Sequence, residues 1–245
     1  MNIVAIGGGN KNAAIRHAID LTGEQKPNAL LLPSACSTEL SYAKKVPLLT
    51  DYFETLGVDV TRLHDFDEQP TSTKIAHELG RASMFYTIGG NSPHMLATMQ
   101  KHGTDSAIRQ AILDGKVHAG TSAGALLPFE LAQSNIAKRP TEEEWDYEFL
   151  PMLGLLKCAA AVHANQHDKT PSGSRSDTQM EHMMTHLPAS ATRGIAIDNG
   201  AAVVISSQGN SVIASDSTAG AYIIERKKNK ISAHTISSSN DLELF

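Results

Sequence analysis

Residues 1–130 alternate short apolar runs with longer segments whose apolar residues recur at helical spacing, and this alternation constrains the fold most. Residues 2–6, 29–33, 58–63, 84–88 and 117–119 read as buried strands. Residues 11–22, 38–56, 71–81 and 93–114 read as helices, several opened by a capping residue such as Thr38 or Ser92. Pro93 occupies the favoured first helical position, whereas Pro47 should kink or split the second helix. Strands joined through helices pair in parallel and need cover on both faces. The expectation is a doubly wound, mostly parallel α/β sheet.

The second half changes pattern. Residues 155–166 are apolar and 172–187 look helical. Strand-like runs then cluster at 194–198, 201–206, 211–214, 220–225 and 231–236. Their turns carry Asn199-Gly200, Gln208-Gly209-Asn210 and Asn229-Lys230, which suit hairpins. There is no low-complexity linker and no internal repeat. Residues 1–245 are therefore expected to form one α/β domain with antiparallel C-terminal strands. A chain this long buries about 70–75% of its unfolded surface, so a sizeable core needs no staples.

Charge and composition narrow the classes. Net charge is −5, and the longest basic run is Arg226-Lys227-Lys228, which argues against nucleic acid as a partner. No apolar run approaches the ~18 residues that a membrane span requires. Cys36 and Cys158 form no CxxC pair and suit a reducing compartment, as small buried hydrophobes. A cytoplasmic protein is expected.

The sequence HAGTSAGALLPFE, residues 118–130, follows a predicted strand directly. In a parallel sheet, ligands bind beyond the carboxyl ends of the strands. Gly120 and Gly124 flank Ser122 at the spacing of a nucleophile elbow. There a tight strand-to-helix turn exposes the hydroxyl, and the next N–H, here that of Ala123, faces the developing oxyanion. The bland alternative is a glycine-rich turn with a capping serine. A second oxyanion donor is offered by YTIGGNSPHML, residues 86–96, where Gly89 and Gly90 let backbone approach a reacting carbonyl. For the base, AAVHANQHDK read as a strand puts His163, Asn165 and His167 on one face. His167 is favoured because it stands where the strand gives way to a polar loop; His163 is expected deeper, as a hydrogen-bonded interior group.

These motifs together resemble the serine peptidases that include peptidase E (aspartyl dipeptidase) and cyanophycinase. The matching stretches are MNIVAIGGGN, IGGN at 88–91, GTSAGA at 120–125, NQHD at 165–168 and GIAIDNGAAVVI at 194–205. The resemblance implies a flavodoxin-like sheet related to class I glutamine amidotransferases, with Ser122 as nucleophile and His167 as base. It implies an oxyanion hole at Gly90 and Ala123, and no metal or organic cofactor. The position aligned with the family's third triad member holds Asn135, beside Ser134; Glu130 and the Glu142 to Glu144 run are the alternatives. Arg175 is implied to bind a substrate carboxylate, which a guanidinium pairs bidentately, and Asn91 to line the substrate site. The substrate implied is a short peptide with an acidic N-terminal residue.

Rival readings remain. GGGNKN at 7–12 lacks the third glycine of a dinucleotide loop, and no acid ends the second strand. The pairs His163/His167 and His182/His186 raise a metal hydrolase, although HExxH is absent. A non-catalytic binding protein on an amidotransferase-like scaffold and a cyanophycinase-like hydrolase are further alternatives. A homodimer through the edge of the C-terminal strands is a plausible assembly.

Overall fold

A computed structural model of the chain describes residues 1–135, 147–169, 176–228 and 230–242. The first half lays down β1 (Asn2–Ile6), α1 (Asn12–Asp20), β2 (Asn28–Leu32), α2 (Glu39–Thr55), β3 (Asp59–Arg62) and α3 (Ser72–Arg81). It continues through β4 (Met84–Thr87), α4 (Ser92–His102), α5 (Thr104–Leu113), β5 (Val117–Thr121) and the short α6 (Ala123–Leu126). There follow β6 (Phe129–Ser134), β7 (Glu148–Pro151), β8 (Leu156–Val162), β9 (His167–Lys169), β10 (Ser176–Thr178) and α7 (Gln179–His186). Then come β11 (Arg193–Ile197), β12 (Ala201–Ile205), β13 (Ser211–Ala214), β14 (Ala221–Lys227), β15 (Lys230–Thr235) and a single 3₁₀ turn over Ser239–Leu242.

A seven-stranded sheet is ordered β13-β12-β1-β5-β4-β2-β3. Its strands β1 to β5 are mutually parallel, and β12 and β13 extend the β1 edge antiparallel. A six-stranded mixed sheet is ordered β15-β14-β11-β8-β6-β7, with β6, β8 and β11 parallel. The α/β class is as expected. The antiparallel strands, however, divide between two sheets, because β6 and β8 start a second sheet against which β11 and β14 pair.

Period-two alternation explains the layers. Val4 and Ile6 face one side of the first sheet, with Leu31, Tyr86 and Val204, and pack under α1 and α2. Ile3 and Ala5 face the other side, in a cluster that also holds Phe85, Met95 and Ile108 and reaches Phe129, Leu156, Ile195 and Ile223 of the second sheet. Met183 and Leu187, at the end of α7, cover the far face of that sheet. Phe53 of α2 meets the Tyr86 ring edge-on, centroids 5.4 Å apart. Burying one such side chain contributes about 1.5–3 kcal/mol.

Three expected elements are corrected. α2 runs unbroken through Pro47, since Val46, Leu49 and Phe53 are buried on its inner face and packing holds both halves together. The helix expected over 93–114 divides at Gly103, whose φ of 70° ends α4 and opens α5. The helix after the glycine-serine turn is only Ala123–Leu126; Glu130 sits on β6 and pairs with Lys157 at 3.6 Å.

Candidate active site

β5 delivers the chain to Ser122, which leads into α6 with φ 56° and ψ −123°. This backbone is unusual for a residue with a Cβ and is sustained only by its surroundings. Ser122 N–H donates to the carbonyl of Ile6 at the end of β1 (3.0 Å). The glycines are sterically required: a Cβ on Gly120 would lie 2.3 Å from the Gly124 carbonyl oxygen, and one on Gly124 2.1 Å from that of Thr87. Only hydrogen at these positions lets β4, β5 and α6 close on one another. Ala123, the first residue of α6, has an N–H with no carbonyl one turn earlier to receive it.

Gly89 and Gly90 press against this turn. A Cβ on Gly89 would meet the Thr121 carbonyl at 2.5 Å, and one on Gly90 would meet that of Ala35 at 2.2 Å. The Gly89 carbonyl accepts from Lys45 Nζ (2.7 Å), so the Gly90 N–H, anti to it across the trans peptide, points the opposite way. Asn91 caps α4, its side chain accepting from His94 N–H at 2.8 Å. Arg175 and the Glu142 to Glu144 run lie outside the described residues.

The imidazole beside Ser122 belongs to His163. Ser122 Oγ and His163 Nε2 are 2.8 Å apart, and His163 Nδ1 lies 2.6 Å from Asn199 Oδ1. The expected pairing with His167 and Asn135 is not the one formed. β8 stops at Val162 and His163 turns away with φ 54°, so the strand's carboxyl end comes four residues earlier than the apolar run 155–166 implies. His167 starts β9 opposite Thr178 and is exposed. Asn135 directly follows β6, and with both His163 nitrogens engaged no ring position is left for it, for Ser134 or for Glu130.

Asn199, which meets the His163 ring, is a residue of the candidate site that the sequence pattern does not single out. Its signal was present: Asn199-Gly200 follows the expected strand 194–198 at that strand's carboxyl end, yet the pair reads simply as a hairpin turn. Asn199 N–H donates to Asn165 Oδ1 (2.9 Å), and its Nδ2 donates to Gln166 Oε1 (3.3 Å). The second bond directs Oδ1 at the ring, so His163 carries its proton on Nδ1 and turns the lone pair of Nε2 to Ser122. The neighbouring Asp198 faces elsewhere: buried, it accepts from Gly220 N–H (3.0 Å) and the Tyr222 hydroxyl (3.2 Å), and burial raises its pKa. The GGGN loop borders the site, since a Cβ on Gly8 would lie 2.3 Å from Asn199 Oδ1.

The other histidine pair serves packing. His182 and His186 stack with centroids 4.2 Å apart, and His182 Nδ1 bonds Gln133 Oε1. Among the described residues, no group of three His, Cys, Asp or Glu side chains is placed to hold a metal, and no helix is long and apolar enough to cross a membrane.

The chain is 26% identical over 177 residues to the uncharacterized peptidase YgaJ of Bacillus subtilis (strain 168), covering 69% of this chain and 72% of that protein. A solved peptidase from an acI-B1 Actinobacterium superposes with a TM-score of 0.71 at 16% identity, covering 97% of this chain and 95% of the other. A Listeria monocytogenes EGD-e protein described as a candidate peptidase E gives 0.58 at 18% identity, covering 96% and 98%. These two likenesses establish a shared fold. The match to Peptidase family S51 runs over residues 3–213, most of the chain, and with it the protein belongs to that family.

Proposed function

We propose that this S51 member is a serine-type peptidase in which Ser122 is the nucleophile, His163 the general base and Asn199 the residue that orients the imidazole. The carrying observation is the relay of two contacts, Ser122 Oγ to His163 Nε2 at 2.8 Å and His163 Nδ1 to Asn199 Oδ1 at 2.6 Å. Ser122 Oγ attacks the peptide carbonyl while its proton passes to Nε2. The oxyanion is met by the N–H groups of Ala123 and Gly90. Imidazolium then protonates the departing amine, and water, deprotonated by the same ring, releases the acid.

The Ser122 cavity, about 450 Å³, suits a short peptide better than a polymer. Dipeptides with an acidic N-terminal residue are the proposed substrates. Arg175 keeps the carboxylate-binding role that the resemblance implies. A dipeptide-library assay with Ser122→Ala as control tests the reading, together with labelling by a fluorophosphonate. Hydrolysis that persists in Ser122→Ala, or a wild type that neither cleaves nor labels, would end it.

A further inference from the structure

The geometry points to a carboxylate-binding subsite beside Ser122, built on Lys11 and supported by the charge of Lys45. This inference rests on the reading of Ser122 as nucleophile. The cavity that holds Ser122, Gly89 and Gly90 is also lined by Lys11, Lys45 and Tyr52, with the exposed Lys44 nearby. No Asp or Glu is among its lining residues, and neither Lys11 nor Lys45 forms an ion pair among the described residues. Two half-buried ammonium groups of like sign thus share a concave site with no carboxylate among the described residues to neutralise them.

Such an arrangement is costly when empty and relieved by an anion. Burial lowers the Lys11 pKa, and repulsion from Lys45 lowers it further. A carboxylate between them removes that repulsion and recovers the Coulomb attraction that partial desolvation strengthens. Lys45 is partly committed, since its Nζ already donates to the Gly89 carbonyl. Lys11 precedes the first residue of α1, at the end of the GGGN loop beside His163 and Asn199, and carries no hydrogen bond from its side chain among the described residues. It is therefore the specificity-determining member. A dipeptide offers two sources of carboxylate, an acidic side chain and the free C-terminus.

The experiment compares kcat/KM for Asp-Leu, Asn-Leu, Ala-Leu and Ala-Leu amide in wild type, Lys11→Met, Lys11→Gln and Lys11→Arg. Loss of the charge should lower kcat/KM for the carboxylate-bearing members by about 10- to 100-fold, with Lys11→Arg recovering most of it. A loss confined to Asp-Leu assigns the side chain; a loss in all three free peptides that spares the amide assigns the C-terminus. Losses equal across all four, or no loss, overturn the subsite. Fluorophosphonate labelling of Ser122 separates the two readings. A wild type that labels while Lys11 variants leave the substrate ratios unmoved, or that labels and cleaves none of the four, refutes the subsite alone. A wild type that neither labels nor cleaves removes the nucleophile and this subsite together.

Discussion

Ser122 and His163, whose side chains meet at 2.8 Å, both carry positive φ, 56° and 54°. Each stands just past the carboxyl end of a parallel strand, Ser122 after β5 of the first sheet and His163 after β8 of the second. The contact therefore joins two sheets, each ending in a backbone conformation that ordinary residues avoid. Strain of this kind throws the side chain out of its strand's alternation and toward the facing strand end.

Removal of either partner should separate catalysis from binding. Ser122→Ala and His163→Ala are expected to lower kcat by at least about 10⁴-fold, with little further loss in the double variant because the two act as a unit. His167→Ala should stay within a few-fold of wild type. Steady-state kinetics on one cleaved dipeptide distinguishes these outcomes, and a large effect at His167 would overturn the assignment.

The neutral amide at Asn199 makes a second test. Asn199→Ala should lower kcat by on the order of 10²-fold, through loss of ring orientation. Asn199→Asp places a carboxylate where Oδ1 now lies, 2.6 Å from Nδ1, and should raise the imidazole pKa. The acid limb of the kcat/KM profile should then move to higher pH. An unmoved limb in Asn199→Asp would show that this side chain does not face the catalytic ring.

Two glycine-to-alanine changes should have opposite signs. Gly124→Ala sets a Cβ 2.1 Å from the Thr87 carbonyl oxygen, a clash with backbone, and should cost more than about 2 kcal/mol along with activity. Gly80 lies within α3, where an added Cβ meets nothing within 4 Å, so Gly80→Ala should stabilise by about 0.5–1 kcal/mol. Urea unfolding measures both.

Acid should weaken the fold through His118. This fully buried ring on β5 bonds Thr87 Oγ1 through Nε2, and burial lowers its pKa to about 4. The unfolded chain binds the proton near pH 6.5 and the folded one only near pH 4, so stability holds above 6.5 and falls as pH drops between those values. The loss is of order 3 kcal/mol by pH 4. His118→Gln keeps a neutral hydrogen-bonding side chain and should flatten the dependence. Unfolding midpoints at pH 7 and pH 5 decide it, and equal slopes in both proteins would contradict it.

Local pattern located the strands and helices of the first half, because periodicity belongs to neighbouring residues, but not the continuity of α2 through Pro47 or the break at Gly103, which packing and a single left-handed residue decide. The same holds for Ser122: Gly120, Gly124 and the preceding strand are all within a few positions of it, so the turn could be read directly. His163, Asn199 and Lys11 were not readable in that way. Whether His163 or His167 reaches the serine depends on where β8 stops, which the pairing of β8 with β6 and β11 fixes from residues far away in the chain. Asn199 looked like half of a hairpin turn because nothing near it in sequence reveals that β11 and β8 lie side by side and end together. The proposed nucleophile was thus written in consecutive residues, while the side chains that meet it were selected by strand register, a property of long-range hydrogen bonding that no single segment carries.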